Sequence, residues 1–432
     1  DCLLYLPRRV HSMKLTRNKI FSLLMFGALQ SQLVFAEDLA SILQLSLQQD
    51  PVLTEANANT EGAYNDMKAS EAGHYPTLSL TGQNVLAQQH TSNNSKMRDD
   101  VGVRSRLNLY AWGGIQAAVE RDKSKMEYFQ YKYYETREEL ANTISTLYLT
   151  ALRAKESISI AKKNIRRHEK FIADLKVINQ YDEGRRSEIA QAQSRYLQAQ
   201  STEANLEKIL SINLSKLSKY TSKKLTEKDI VDPFNKQNST QLIALFDNVE
   251  ANNHPSFKAQ EAEYNSALAD SEATKASKYP SINLEGSATR RDRSIALTMS
   301  WDLYNKPVDY ATEKSRAVVL SAKARSHEML RDIKERAETA KVDMKQSERR
   351  AKIAKSLIAT QTQVAQDYEQ QFYISNRTLL EVLDSYAELA STETNYVEAQ
   401  NDYRDAAIAY LLAKASLAKW AKVPDFNTTN HF

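Results

Sequence analysis

Between Leu140 and Leu175, seam residues recur alternately four and three positions apart: Leu140, Ile144, Leu147, Ala151, Ala154, Ile158, Ala161, Ile165, His168, Ile172 and Leu175. The same register returns as Ile333, Ala337, Ala340, Met344, Ser347, Ala351, Ala354, Ile358, Gln361, Ala365, Tyr368 and Phe372. A mean spacing of 3.5 predicts a coiled-coil seam, and its many alanines let helices approach closely. Ahead of each seam the period changes. Val101, Val103, Leu107 and Leu109 alternate with Gly102, Arg104, Arg106 and Asn108. Ile295, Leu297, Met299, Trp301 and Leu303 alternate with Ala296, Thr298, Ser300, Asp302 and Tyr304. Period two predicts strands with one apolar and one polar face.

These patterns belong to a duplication. Asp50-Pro51, Tyr75-Pro76, Leu80 and Gly82 return as His254-Pro255, Tyr279-Pro280, Leu284 and Gly286, each 204 residues later. Leu109-Tyr110 matches Leu303-Tyr304, and Tyr181 with Gly184 matches Tyr373 with Asn376. Each copy reads as helix, strand, loop, strand, long helix, turn, long helix. The expected boundaries are upstream residues and signal peptide in 1–36, a first repeat in 37–220 and a linker in 221–240. A second repeat in 241–421 and a C-terminal tail in 422–432 complete the chain.

Composition sharpens the helical expectation. The chain has 9 Gly and 8 Pro in 432 residues, and no Pro lies between Pro76 and Pro233 or between Pro307 and Pro424. Helices there meet few breakers. From Ile115 to about Tyr181 one helix would run about 100 Å at 1.5 Å per residue. Gly184 and Asn376 mark hairpin tips, because both residue types tolerate the left-handed conformation that ends a helix. Met13–Ala36 reads as a secretory signal peptide, with basic Lys14, Arg17 and Lys19, an apolar run from Ile20 to Leu29, and small Ala36 before Glu37. Residues before Met13 read as sequence upstream of the start. Residues 1–36 hold five of the 58 Lys and Arg and one of the 54 Asp and Glu, leaving 53 of each sign in the mature chain. With signs alternating along helices, no nucleic-acid partner is implied. The single cysteine, Cys2, also falls in that segment, so neither disulfides nor a lipid anchor is expected.

The alternating strands allow two environments. A soluble sheet buries its apolar face, whereas a membrane barrel turns that face to lipid and lines its lumen with the polar one. The signal peptide and the aromatic residues at the strand ends, Tyr110, Trp112, Trp301 and Tyr304, favour the barrel, since such residues prefer membrane interfaces. Four strands cannot enclose a lumen, for which roughly eight are needed. Several chains would have to share one barrel. Three would give twelve strands and leave no open edge in lipid.

In repeat order and spacing the sequence resembles the TolC family of outer-membrane factors. The segment Tyr373-Ile-Ser-Asn-Arg-Thr-Leu-Leu-Glu-Val-Leu-Asp384 looks like that family's second hairpin tip, and Tyr75-Pro76 and Tyr279-Pro280 resemble its pre-strand motif. The first tip, Tyr181-Asp-Glu-Gly-Arg-Arg-Ser-Glu188 followed by Gln191 and Arg195, is closer to members serving type I secretion of adhesins and toxins. The resemblance implies a mainly α fold with a membrane β-barrel part: a homotrimeric channel-tunnel with four strands per chain, set in outer-membrane lipid and continued across the periplasm by coiled-coil helices. It implies as partners a periplasmic adaptor and an inner-membrane ABC transporter. It also implies a periplasmic aperture, with Arg377 locking the gate and Glu381 and Asp384 forming acidic rings. Phe372 stands where a gating tyrosine occurs, Ala190 replaces an acidic partner, and Glu188 is the substitute considered.

Glu381 and Asp384, three apart, share one helix face. Gathered at a narrow neck they would repel, raise one another's pKa and attract cations; the alternative is that they are a solvated acidic helix end. Gly184, Arg185, Arg186, Ser375 and Asn376 are the expected adaptor-docking tips, although Arg185 and Arg186 could equally cap helix carbonyls. The histidines, at 11, 74, 90, 168, 254, 327 and 431, show no metal-ligand spacing. The chain also lacks a glycine-rich phosphate loop and a Gly-x-Ser-x-Gly elbow, so neither catalysis nor a cofactor is indicated. Two rival expectations remain: a small-molecule efflux duct, and a periplasmic coiled-coil scaffold without a barrel.

Overall fold

A computed structural model describes residues 38–84, 100–181, 184, 186–221, 224–290 and 292–424. The expected signal peptide, Arg185 and most of the C-terminal tail lie outside the described residues. Helix α1 (Leu39–Gln49) starts on Asp38, whose carboxylate accepts the Ser41 N–H at 2.9 Å. Helices α2 (Pro51–Glu71) and α6 (Pro255–Ala276) explain the repeated Asx/His-Pro pair. Asp50 and His254 cap the helix, and a proline opens it, where its missing N–H costs nothing.

Each short helix leads into two strands. Strands β1 (Thr77–Gln83), β2 (Asp100–Tyr110), β3 (Ser281–Thr289) and β4 (Arg293–Ser300) form one antiparallel sheet in the order β1-β2-β3-β4. The two repeats therefore join through β2 and β3, which pair from Gly102↔Thr289 to Tyr110↔Ile282 with a bulge between Asn108 and Tyr110. Alternation along β4 was expected to reach Tyr304. The strand stops at Ser300 instead, because Trp301 turns to donate its indole N–H to the Lys278 carbonyl and Pro307 opens the next helix.

From β2 the chain passes through Trp112 (φ 53°) and Gly113 (φ 79°), two left-handed residues in succession, into α3 (Gly114–Asn179). That helix has 66 residues, about 100 Å, as its lack of breakers predicts. It folds back into α4 (Arg186–Leu217), and in the second copy α7 (Lys306–Tyr373) folds back into α8 (Leu379–Ala413). The seam is buried nearly throughout, with Ile144 and Ala151 fully enclosed and only Leu147 partly open in the first copy. In the second copy Ile333, Met344, Ser347, Ala365 and Phe372 are buried, and Ala351, Ala354, Ile358, Gln361 and Tyr368 are half-buried.

Among the described residues two apolar cores result. One, at mid-helix, gathers Ile42, Ile144, Tyr148, Leu242, Tyr410 and Leu417 with residues of α5 (Ser239–Phe246) and α9 (Leu417–Trp420). The segment expected as a linker packs into it through Leu225, Ile230 and Phe234. Tyr148 fixes that segment, its hydroxyl donating to the Val231 carbonyl (2.9 Å) and accepting from the Val231 N–H (2.8 Å). The other core lies at the hairpin tips and includes Phe171, Leu175, Ala192, Phe372, Val382 and Tyr386.

Candidate functional site: the hairpin tips and the two-faced sheet

Helix α7 ends in a Schellman turn. Ser375 takes the left-handed conformation (φ 60°), its N–H reaching the Phe372 carbonyl and the Asn376 N–H reaching Gln371, both at 2.9 Å. The left-handed residue is thus Ser375, one place before the expected Asn376. Thr378 then opens α8 with a capping box, in which a Glu381 carboxylate oxygen accepts both the Thr378 N–H and its hydroxyl at 2.9 Å. The other Glu381 oxygen accepts from Arg377 at 2.6 Å. Arg377 also donates to Gln371 at 2.9 Å and lies 4.2 Å from the Tyr368 ring centroid.

Arg377 therefore turns back onto its own hairpin. The Thr378 amide, and next the Arg377 guanidinium, pull the Glu381 carboxyl down to about 2. Within one chain each Glu381 carboxylate oxygen thus has donors of its own. Phe372 is 5% exposed and packs on Phe171 at 5.3 Å between centroids, within the tip core. Glu188 sits half-buried in the first turn of α4, where a carboxylate suits the helix N-terminus, and Arg186 begins that helix. Gly184, Ser375 and Asn376 are exposed at the tips.

Contacts between the two hairpins come from other residues. Asp384 on α8 meets Arg195 on α4 at 3.5 Å, with both side chains substantially exposed. Tyr373 donates to Asp174 at 2.5 Å, and Lys170 pairs with Glu369 at 3.2 Å, linking α7 to α3. Glu369 also accepts the Tyr386 hydroxyl at 2.7 Å, and Arg167 grips Glu393 through two 2.9 Å bonds. Burial, then Asp174, raises the Tyr373 hydroxyl far above its ordinary range, so it stays a donor. Sequence reasoning placed Tyr373 and Arg195 in tip motifs but did not pair them, since partners some 190–200 positions apart leave no local signal.

His168, a seam position, is buried against the edge of Tyr386, and its Nδ1 finds no hydrogen-bond partner among the described residues. Burial, then Arg195 and Arg167, lowers its pKa from the usual 6.5. An unfolded chain would bind this proton more readily than the folded one. The imidazole is therefore without effect above about pH 6.5 and destabilising as pH falls below it. His168→Met should narrow the loss of Tm between pH 7.5 and 5.5, measured by thermal scans of the purified chain. His254, also lowered by burial, leaves part of the loss in place. An unchanged gap would remove His168 from the account.

At the far end of the helices the sheet has two unlike faces. Leu78, Leu80, Val103, Leu284, Ile295, Leu297 and Met299 share one face and are exposed. The opposite face carries cross-strand polar pairs: Arg106 to Glu285 (2.9 Å), Asn108 to Asn283 (3.0 Å) and Ser287 to Ser294 (2.8 Å). The four expected belt residues gather where the strands meet the helices. Trp112 donates to the Pro280 carbonyl at 2.7 Å, stacks on Tyr279 and meets Tyr110 edge-on, while Tyr304 is widely exposed. The repeated Tyr-Pro motif thus supplies the stacking ring and the acceptor.

Residues 42–222 match the family model described as outer membrane efflux protein. No curated protein matches the chain. The whole architecture is similar to the outer membrane protein VceC of Vibrio cholerae (14% identity, 87% of this chain and 96% of that one, TM-score 0.75). It is also similar to the CmeC outer membrane channel of Campylobacter jejuni (13%, 90% and 90%, 0.75). The open state of the MtrE outer membrane channel of Neisseria gonorrhoeae is a third match (15%, 87% and 88%, 0.73). The fold is the TolC-like channel-tunnel. In a channel-tunnel frame, the family model covers the first repeat, while the structural match extends through the second.

Proposed function

We propose that three copies of this chain form an outer-membrane channel-tunnel that carries cargo from the periplasmic side to the exterior. One observation carries this reading: a four-stranded sheet whose apolar face no described residue covers, whose other face is polar, and whose edges β1 and β4 are unpaired among the described residues. Lipid would cover the first face, water the second, and neighbouring copies the edges. The long helices then project into the periplasm. Exposed Tyr181, Ile374 and Leu380 at their tips suit contact with a periplasmic adaptor and, through it, an inner-membrane ABC transporter. Asp384, exposed beside Arg195, and Glu381 would edge the aperture.

The first-tip sequence favours type I secretion of an unfolded adhesin or toxin. The description of the matching family favours a second reading, the duct of an efflux pump. A deletion strain complemented with this gene separates them. Lost export of a surface adhesin or toxin with unchanged drug susceptibility is the expected result. Drug sensitisation with export intact would replace secretion by efflux.

A further inference from the structure

The polar face of the sheet can be followed level by level along the strands. Around Arg106 the register places Thr77, Glu285 and Ala296, and the Arg106–Glu285 pair leaves that level neutral. One level outward, Arg104 is flanked by Ser79 and Ser287, and Ser287 faces Ser294. The next level holds Thr81, Gly102 and Thr289. Gly102 admits no side chain, since a Cβ there would lie 2.7–2.9 Å from Thr289 and the Ala288 carbonyl. Arg104 therefore stands exposed among small hydroxyls. Among the described residues no carboxylate pairs with it, and Glu285 is already engaged by Arg106. Asp100 lies four residues away along β2, on the order of 13 Å, beyond the Debye length of about 10 Å at 0.1 M salt.

We infer that Arg104 from each protomer forms a ring of guanidinium groups that makes the barrel section of the pore anion-preferring and engages carboxylates of passing cargo. This rests on the proposed trimeric channel. Lumenal side chains set selectivity in such barrels, and a charged ring acts on ions of both signs at once. Small neighbours keep the guanidinium free to project, and among the described residues no paired anion cancels its field.

The test is reversal potential in planar bilayers with the purified full-length chain under a KCl gradient near 0.1 M. Arg104→Gln should lower the chloride-to-potassium permeability ratio by about threefold, and Arg104→Glu by more, with the difference shrinking toward 1 M as screening shortens to about 3 Å. Arg104→Lys should keep the wild-type ratio. Ser287→Arg, which adds a charge at the same level, should raise it and serves if an Arg104 variant fails to insert. Poly-glutamate should block the wild-type pore at concentrations that leave Arg104→Glu open. A pore of normal conductance with unchanged selectivity in these variants would overturn the ring and leave the channel standing. No pore from the wild-type chain would overturn both.

Discussion

An arginine at Leu297 should abolish assembly in the membrane, whereas an arginine at Ala296 should be tolerated. Leu297 lies in β4, 68% exposed, in register with Leu284 and through it with Leu107. All three are on the face that no other described part of the chain covers. If lipid covers that face, a guanidinium there costs roughly 2–4 kcal/mol near the bilayer midplane, and a trimer repeats the cost in each copy. Ala296 points the other way and is paired with Glu285, so Ala296→Arg gains a carboxylate neighbour on the wetted face. The measurement is the amount of each variant recovered as trimer in the outer-membrane fraction. Equal recovery of both would mean that the apolar face does not meet lipid, and the periplasmic scaffold would become the better account. Single-residue spacing makes the comparison sharp, because period two puts neighbours on opposite faces.

Much of this architecture was legible in the residues. The seam from Leu140 to Leu175 is buried as its four-three spacing predicts, since a helix that must bury a stripe over about 100 Å has few other ways to write it. The repeated proline pairs proved to be helix starts and an acceptor for Trp112, both local features. Tip chemistry was less legible. Ser375, not Asn376, takes the positive φ, because the Schellman bonds to Phe372 and Gln371 fix which residue must turn. Phe372 is a core ring at the tip, as its place in the seam predicts. The pairs Arg195–Asp384 and Asp174–Tyr373 join distant helices, and only the packing of one hairpin on the other brings them together. The segment 221–240 was expected as a linker between the repeats, yet Ile230 and Phe234 are buried by elements from both of them.

The largest single-site effect expected on stability arises where that segment meets α3 and α8. Arg404 on α8 has a side chain only 3% exposed and makes two bonds to Glu156 on α3, at 2.7 and 2.9 Å. A third, at 2.8 Å, goes to Asp232 beside the Tyr148 anchor. One guanidinium thus ties both repeats and the segment between them. Arg404→Ala would leave two mostly buried carboxylates without their cation, a loss of roughly 3–5 kcal/mol. Arg153→Ala at the nearby Arg153–Asp405 pair, whose side chains are 39% and 50% exposed, should cost about 1 kcal/mol or less. Arg404→Lys should recover only part of the loss, since an ammonium cannot reproduce the forked geometry toward Glu156. Denaturant titration of the purified chain separates these outcomes. A midpoint for Arg404→Ala no lower than that of Arg153→Ala would mean that apolar packing around Tyr148 and Phe234, and not the buried ion network, joins the repeats at mid-helix. If the ordering holds, a strong buried polar tie lies far from both the tips and the sheet. The middle of the molecule would then keep the two repeats in register independently of either end.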